Sequence, residues 1–189
     1  MNQTSLLLIF IVTVLFSCAD EPLSVSGAQW VNMDSLINAQ MASGATIEKS
    51  AMLDNQRSEG KVSVNTNWSS ELEAFSRLAV MNKPIYRNQY SKSSGPDPYS
   101  NLILKKIVAT DSLAPVKELR ISVLPDSHQI VRLEGILKET SLLYSKEEEL
   151  IMEFDPHTGR LERYSVTGKQ KLAWFKPDQY DIKASVIYR

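Results

Sequence analysis

An alternation of apolar residues in the C-terminal half constrains the fold most strongly. From Asn101 onward the hydrophobic period is two, and each segment is short, β-rich and bounded by turn residues. In the last segment Ile182, Ala184, Val186 and Tyr188 occupy every second position. Successive side chains of a strand point to opposite faces of a sheet, so this half predicts antiparallel strands that follow one another as a meander.

The predicted strands cover residues 102–109, 116–124, 129–144, 149–154, 160–167, 171–176 and 181–188. Turns are predicted at 125–127, 145–148 and 155–159. Adjacent apolar residues recur within these strands, as at Ile136-Leu137 and 150–152. Such doublets predict apolar surface on both sheet faces, and the second face would be covered by a helix, by curling of the sheet, by a partner or by an apolar ligand.

The N-terminal half carries two helical patterns, over residues 31–42 and 67–83. The second contains Ser70-x-x-Glu73, the spacing of a capping box, and ends before Pro84. Its apolar face is predicted to pack against the core. The alternative is that Trp68 and Phe75 line a ligand-binding pocket. That face is formed by Trp68, Leu72, Phe75 and Ala79.

The segments between these patterns are less defined. Residues 45–54 fit either an extended segment or helix, residues 55–61 are predicted as a loop, and residues 91–98 as a linker. The predicted fold class is α+β, with one or two N-terminal helices packed on a curved antiparallel meander of about six or seven strands.

Charge and composition exclude one function class. Lys and Arg number 21 and Asp and Glu number 22, for a net charge of −1. The two signs are interspersed without a basic block, so nucleic-acid binding has no electrostatic basis. No internal repeat of fixed period is present, and residues 28–189 are predicted to form a single globular domain.

An uncharged apolar leader opens the chain. The hydrophobic run 6–16 would span roughly 16 Å as a helix, about half of a bilayer's hydrocarbon core. It is therefore too short to cross and has the length of a signal peptide h-region, with the small residue Ser17 at its end. Cys18, the only cysteine, follows directly.

The stretch Leu15-Phe16-Ser17-Cys18 resembles the lipobox of bacterial lipoproteins. The resemblance implies that residues 1–17 are a signal peptide removed before Cys18, and that Cys18 carries a diacylglyceryl group. Residues 18–27, polar and broken by Pro and Gly, would form a flexible tether to the membrane. The alternatives are an unlipidated secretory signal, with Cys18 incidental, and a short membrane-anchoring helix.

Several segments of the body are similar to a group of uncharacterised Bacteroidota lipoproteins. The similarity lies in residues 67–75, 82–84, 143–145 and 164–171, together with Tyr180. It implies a taxon and a location in the cell envelope, most specifically the outer membrane on its periplasmic or surface face, and it implies no activity.

Two triplets resemble the acceptor for O-glycosylation of exported proteins in that taxon. They are Asp34-Ser35-Leu36 and Asp111-Ser112-Leu113. Ser112, in a predicted loop, is the better candidate, and Ser35 is the other.

The sequence lacks the motifs of common enzyme classes. It contains no Gly-x-Ser-x-Gly elbow, His-Glu-x-x-His pair or phosphate loop. His128 and His157 lie at predicted turns, near Asp126 and Asp155, and are interpreted as solvated loop residues, with an acid-base or metal site as the alternative.

A run of three acidic residues, 147–149, is interpreted as a charged hairpin tip that discourages edge pairing. Binding of a cation by this run is the alternative interpretation.

Three hypotheses for function follow. The favoured one is a non-catalytic envelope lipoprotein, held to the membrane at Cys18, that acts through contacts with an envelope protein and needs no cofactor. The second is a carrier or sensor of an apolar ligand on the curved sheet. The third is a hydrolase or metal enzyme that uses His128 and His157.

Overall fold

A single antiparallel sheet organises the residues that the computed structural model describes, which are 32–40, 45–54, 56–63, 68–86 and 88–188. Its nine strands are arranged in the order β2-β1-β9-β8-β7-β6-β5-β4-β3. The strands are β1 (Thr46–Leu53), β2 (Gln56–Ser63), β3 (Tyr90–Pro96), β4 (Ile103–Ala109), β5 (Val116–Val123), β6 (Ile130–Thr140), β7 (Tyr144–Phe154), β8 (Leu161–Leu172) and β9 (Asp178–Ile187).

The C-terminal strands confirm the predicted antiparallel meander. Strands β3 to β9 pair in chain order, and the β1–β2 hairpin adds to the free edge of β9. The sheet therefore has more strands than the six or seven expected. Three strands were not predicted: β1 comes from the segment left undecided between strand and helix, β2 from the predicted loop and β3 from the predicted linker.

The extra strands escaped prediction for a physical reason. Strands β2 and β3 form the two edges of the sheet, and their sequences, QRSEGKVS and YSKSSGP, contain no apolar alternation. In β1 the only fully buried side chain is that of Ile47, so its apolar signal is weak.

One predicted turn and one predicted break between strands are wrong. Residues 145–148 lie inside β7, and the chain turns at 141–143 instead. Strand β8 continues through 168–170, where a break between two strands was expected. The acidic run 147–149 therefore lies within a strand and is not a hairpin tip.

The helical segments are short. They are α1 (Met33–Asn38), α2 (Trp68–Glu71), α3 (Glu73–Ser76) and two 3₁₀ segments, Arg77–Asn82 and Pro84–Tyr86. The helix predicted over 67–83 is thus divided, and Ser70 lies within α2 rather than at its N-cap. Before Pro84 the backbone of Lys83 is extended, as expected for a residue that precedes proline.

The helical segments and one sheet face enclose the core. Trp68, Leu72 and Phe75 of the predicted packing stripe are buried and Ala79 is partly buried against the core, which places Trp68 and Phe75 in the core. Leu78, which the sequence pattern did not include, is also buried. Buried side chains from β5 to β8 complete it: Leu119, Leu133, Leu150, Met152, Leu161 and Tyr164. The layers approach closely at Gly135, where a Cβ atom would lie 2.5 Å from Cδ2 of Leu78.

Helix α1 belongs to the same layer as the other helical segments. It contacts α2 and α3, and Met33 and Ile37 are buried. After it, the Gln40 side chain accepts a hydrogen bond from the N–H of Leu161 at 2.7 Å. In the described part of the chain no helix lies on the opposite sheet face, and none is long and apolar enough to cross a membrane.

Candidate functional site

The sheet face opposite the helical layer carries two recesses and is the candidate functional surface, and we call it the open face. Cross-strand partners point to the same side of a sheet, so the pairing register assigns its residues. In its central strands these are Glu48, Ser50 and Met52 of β1, Asp181, Lys183 and Ser185 of β9, Arg163, Ser165, Thr167 and Lys169 of β8, Glu147, Glu149, Ile151 and Glu153 of β7, and Arg132, Glu134, Ile136 and Lys138 of β6.

A ladder of ion pairs crosses the open face from β4 to β8. Cations and carboxylates alternate in the order Lys106, Glu118, Arg120, Glu134, Arg132, Glu153 and Arg163. The separations include 3.0 Å from Lys106 Nζ to Glu118 Oε1 and 2.8 Å from Arg163 Nε to Glu153 Oε2. Exposed pairs of this kind contribute little stability singly, but the ladder fixes the positions of seven long side chains.

The ladder also sets the protonation state of Glu118. Partial burial opposes ionisation of this carboxyl, but hydrogen bonds from Lys106 and Arg120 outweigh that effect and hold its pKa below its usual value. Glu118 is therefore ionised at neutral pH.

The open face contains a recess of about 760 Å³. Residues from five strands line it, from Glu48 of β1 to Arg132 of β6. Ile151 is an apolar residue among its polar neighbours. The open-face charges here are three cations and two anions: Arg132, Arg163, Lys183, Glu48 and Glu153. We call this recess the basic recess.

A second recess, of about 630 Å³, lies on the same face and has the opposite charge. Its apolar residues include Met52 and Ile136. The charged groups that line it on the open face are four carboxylates and one ammonium: Asp54, Glu147, Glu149, Asp181 and Lys169. We call it the acidic recess. The open face is therefore polarised, with its excess positive and negative charge in different places.

Glu149 is the most available of these carboxylates. Its side chain is exposed and lies between Ile136 of β6 and Thr167 of β8 in the register. Among the described residues no ion pair involves it, whereas Glu147 pairs with Lys169 and Asp181 with Lys183. Glu149 can therefore accept a cation from a bound molecule without losing an internal partner.

On the covered face a buried charged cluster fixes the helical layer to the sheet. Glu148 is 4% exposed and lies 2.5 Å from Arg77 Nη1 and 2.9 Å from Lys146 Nζ. The Tyr180 hydroxyl donates to the same carboxylate, and the Tyr180 ring packs directly on Gly168. We call these side chains the Glu148 cluster.

Burial and hydrogen bonding act in opposite directions on Glu148. Burial favours the neutral acid, but hydrogen bonds from Arg77, Tyr180 and Lys146 outweigh it and hold the pKa below its usual value of 4.5. Burial and the bond to this carboxylate both raise the pKa of Tyr180 above its usual value of 10. At neutral pH the cluster is therefore an ionised carboxylate bound by two cations and a neutral phenol.

A second cluster likewise consists of a carboxylate bound by a cation and a tyrosine hydroxyl. Glu71 of α2 pairs with Lys49 of β1 and accepts a hydrogen bond from the Tyr164 hydroxyl of β8. The Tyr164 ring also meets Phe75 edge to face, with centroids 5.9 Å apart. Both clusters join the helical layer to the sheet and leave the open face uncovered.

The two predicted histidines lie at exposed turns. Gln129 Nε2 donates to the Asp155 carbonyl at 3.0 Å, so these turns are neighbours at one end of the sheet. His128 and His157 are nevertheless exposed, and the Asp155 carboxylate accepts the backbone N–H of His157 at 2.9 Å. Backbone hydrogen bonds from Thr158 and His157 hold the pKa of Asp155 below its usual value. Within the described residues no group of three His, Cys, Asp or Glu side chains is placed to hold a metal ion.

The two candidate glycosylation sites are both exposed. Ser112 lies in the turn between β4 and β5, where a loop was predicted. Ser35 lies within α1, and its N–H donates to the N-cap side chain of Asn32 at 2.9 Å. Cys18, the predicted signal peptide and the tether lie outside the described residues.

Comparison with known proteins identifies no relative. No protein-family model matches the chain, and no curated protein or solved structure shows significant similarity to it. The function must therefore be argued from the open face itself.

Proposed function

We propose that this protein is a non-catalytic, lipid-anchored protein of the cell envelope that binds a polypeptide partner on the open face. The observation that carries the proposal is the polarised open face, a sheet surface with two recesses of opposite charge and no helical cover in the described chain. A polypeptide segment with acidic and basic side chains at different positions complements such a surface.

The composition of the open face favours a polypeptide over an apolar ligand. An apolar ligand in either recess would remove charged groups from water without pairing them, which is costly. Met52, Ile136 and Ile151 provide only isolated apolar contacts. A polypeptide can place apolar side chains on these residues and polar groups on the surrounding charges.

The open face also offers no free aromatic ring, among its described residues, on which a sugar or a nucleobase could stack. The aromatic residues that border the two recesses are Tyr164 and Tyr180, and their hydroxyls bind Glu71 and Glu148 on the covered face. Neither ring is free to stack on a sugar or a nucleobase from the open side.

The anchor rests on the sequence. The lipobox-like stretch that ends at Cys18 supports export and lipidation, and the similarity to Bacteroidota lipoproteins supports the outer membrane as the location. Two or three acyl chains at Cys18 would hold the domain stably, whereas one chain binds only marginally.

One experiment in intact cells tests both parts of the proposal. A photoreactive amino acid replaces Ser165 in the basic recess, and the matched control carries it at the exposed turn residue Ser127. Cells are also fed an alkyne fatty acid. We expect a discrete protein crosslink from position 165 only, and fatty-acid label that disappears in Cys18→Ala.

A charge reversal identifies the surface responsible. Glu149→Lys in the acidic recess is expected to reduce the crosslink about tenfold, the effect of losing roughly 1.4 kcal/mol of binding free energy. Equal crosslinking from positions 165 and 127 would contradict binding on the open face. Label retained in Cys18→Ala would contradict the anchor and leave the binding result unaffected.

A further inference from the structure

Exposed apolar side chains are concentrated at one end of the sheet. Because the strands are antiparallel, the turns β1–β2, β4–β5, β6–β7 and β8–β9 all lie at the same end. Eight of the eleven large hydrophobic residues that are exposed in the described chain belong to these turns or the strand positions beside them. They are Met52, Leu53, Leu113, Leu142, Leu143, Leu172, Trp174 and Phe175. We call these residues the apolar end.

Two of the turns form one continuous patch. The N–H of Ala173 donates to the Leu143 carbonyl at 2.9 Å, which joins the β6–β7 and β8–β9 turns. Leu142 is 99% exposed and Trp174 is 83% exposed. The N–H of Phe175 donates to the Leu172 carbonyl at 3.1 Å, so a backbone hydrogen bond closes the turn that carries the Trp174 and Phe175 rings.

The β1–β2 turn is attached to the same patch. The N–H of Asp54 donates to the Gln179 carbonyl, and the Gln179 N–H donates to the Asp54 carboxylate, both at 3.0 Å. Leu53, which precedes this turn, is also exposed. The apolar side chains therefore extend across several turns whose relative positions are fixed by backbone pairing.

We propose that the apolar end inserts into the headgroup region of a lipid bilayer. Tryptophan and phenylalanine at turn tips have the chemistry of interfacial anchors, since their rings sit at the boundary between headgroups and acyl chains. Lys171 and Lys176 flank Trp174-Phe175 in the sequence and complement anionic headgroups. The apolar residues project from separate turns, which suits a fluid lipid surface better than a shaped protein groove.

Chain length is compatible with this orientation. The 14 residues from Cys18 to Val31 can extend to about 45 Å, and a 12-residue strand such as β8 spans about 40 Å. A domain anchored at Cys18 could therefore bring the apolar end to the membrane. The inference concerns the turns at one end of the sheet, which share only Met52 with the open face as defined above, and it does not require a partner on that face.

Fluorescence of Trp174 tests the contact directly. The full chain is reconstituted with vesicles of phosphatidylcholine and phosphatidylglycerol that contain lipids brominated at a known acyl depth. The chain has three tryptophans, and the difference between wild type and Trp174→Phe isolates the signal of Trp174. We expect brominated lipids to quench the Trp174 signal and its emission to shift to shorter wavelength on reconstitution.

The controls separate insertion of this end from attachment of the protein in general. Trp68 is buried and is expected to stay unquenched. Leu142→Ser with Phe175→Ser is expected to reduce the quenching of Trp174, although the leader or acyl chains still hold the protein on vesicles. A Trp174 signal that stays unquenched, or a chain that does not float with the vesicles, would overturn the proposal. Loss of the open-face crosslink in cells would not affect this result.

Discussion

Replacing Phe75 with alanine is expected to lower the free energy of unfolding by about 4 kcal/mol. Phe75 is fully buried between the helical layer and the sheet, and its ring contacts Tyr164 edge to face. Removing the ring leaves a cavity whose walls are backbone-paired strands and cannot collapse easily. Urea denaturation followed by far-UV circular dichroism measures the change.

Two variants control the Phe75 prediction. Phe75→Leu keeps most of the apolar volume and is expected to cost less than about 2 kcal/mol. Ile85→Ala removes an apolar side chain that is 72% exposed and is expected to change stability by less than about 0.5 kcal/mol. If Phe75→Ala and Ile85→Ala had equal effects, the helical layer would not be packed as described.

Glu148→Ala is expected to destabilise the fold by about 3 kcal/mol, the second largest effect. The substitution leaves Arg77 and Lys146 without the carboxylate that compensates them and removes the acceptor for Tyr180. The matched control is Glu147→Ala, one residue away but on the open face. It is expected to cost less than about 1 kcal/mol. Equal costs for the two variants would contradict the buried cluster.

The pH dependence of stability follows from the same cluster. Glu148 has its pKa held below 4.5, so it stabilises the folded state above that value. This contribution is lost as the pH falls from about 4.5 through the lower pKa of the folded state. Glu148→Gln should therefore show a shallower loss of stability than wild type from about pH 5 downward. An unchanged acid limb would show that Glu148 is not bound as described.

Sequence patterns predicted the parts of the fold that the core imposes. The alternation of apolar residues in β9 and the apolar stripe from Trp68 to Phe75 both arise because one side of the element faces the core. Both predictions are confirmed. The acidic run 147–149 was wrongly predicted as a turn, because consecutive charged residues inside a strand resemble a turn in the sequence. Besides Lys146 in the same strand, Glu148 is bound by Arg77 and Tyr180, which come from segments distant in sequence. Local patterns carry no signal for such pairing.

The open face was only partly predictable. The apolar runs Ile136-Leu137 and 150–152 correctly place apolar residues on both sides of the sheet, with Ile136 and Ile151 on the open face and the remaining three on the covered face. They suggested an apolar second face, but most of its other residues are polar or charged, and seven of the charged ones form the ion-pair ladder. A signal for the ladder is present in the i, i+2 pairs Glu118/Arg120 and Arg132/Glu134, which lie on adjacent strands. Their register, and thus their pairing across strands, required the structure.

Thiol accessibility tests most directly the central claim that one sheet face is covered and the other is open. Thr167 and Val166 are neighbours in β8, with Thr167 exposed on the open face and Val166 buried beneath the helical layer. Each is replaced by cysteine in the full chain carrying Cys18→Ala, so that the introduced thiol is the only one. We predict rapid maleimide modification of Thr167→Cys in the folded protein and modification of Val166→Cys only after unfolding. Protection of both thiols, or modification of both, would contradict the account.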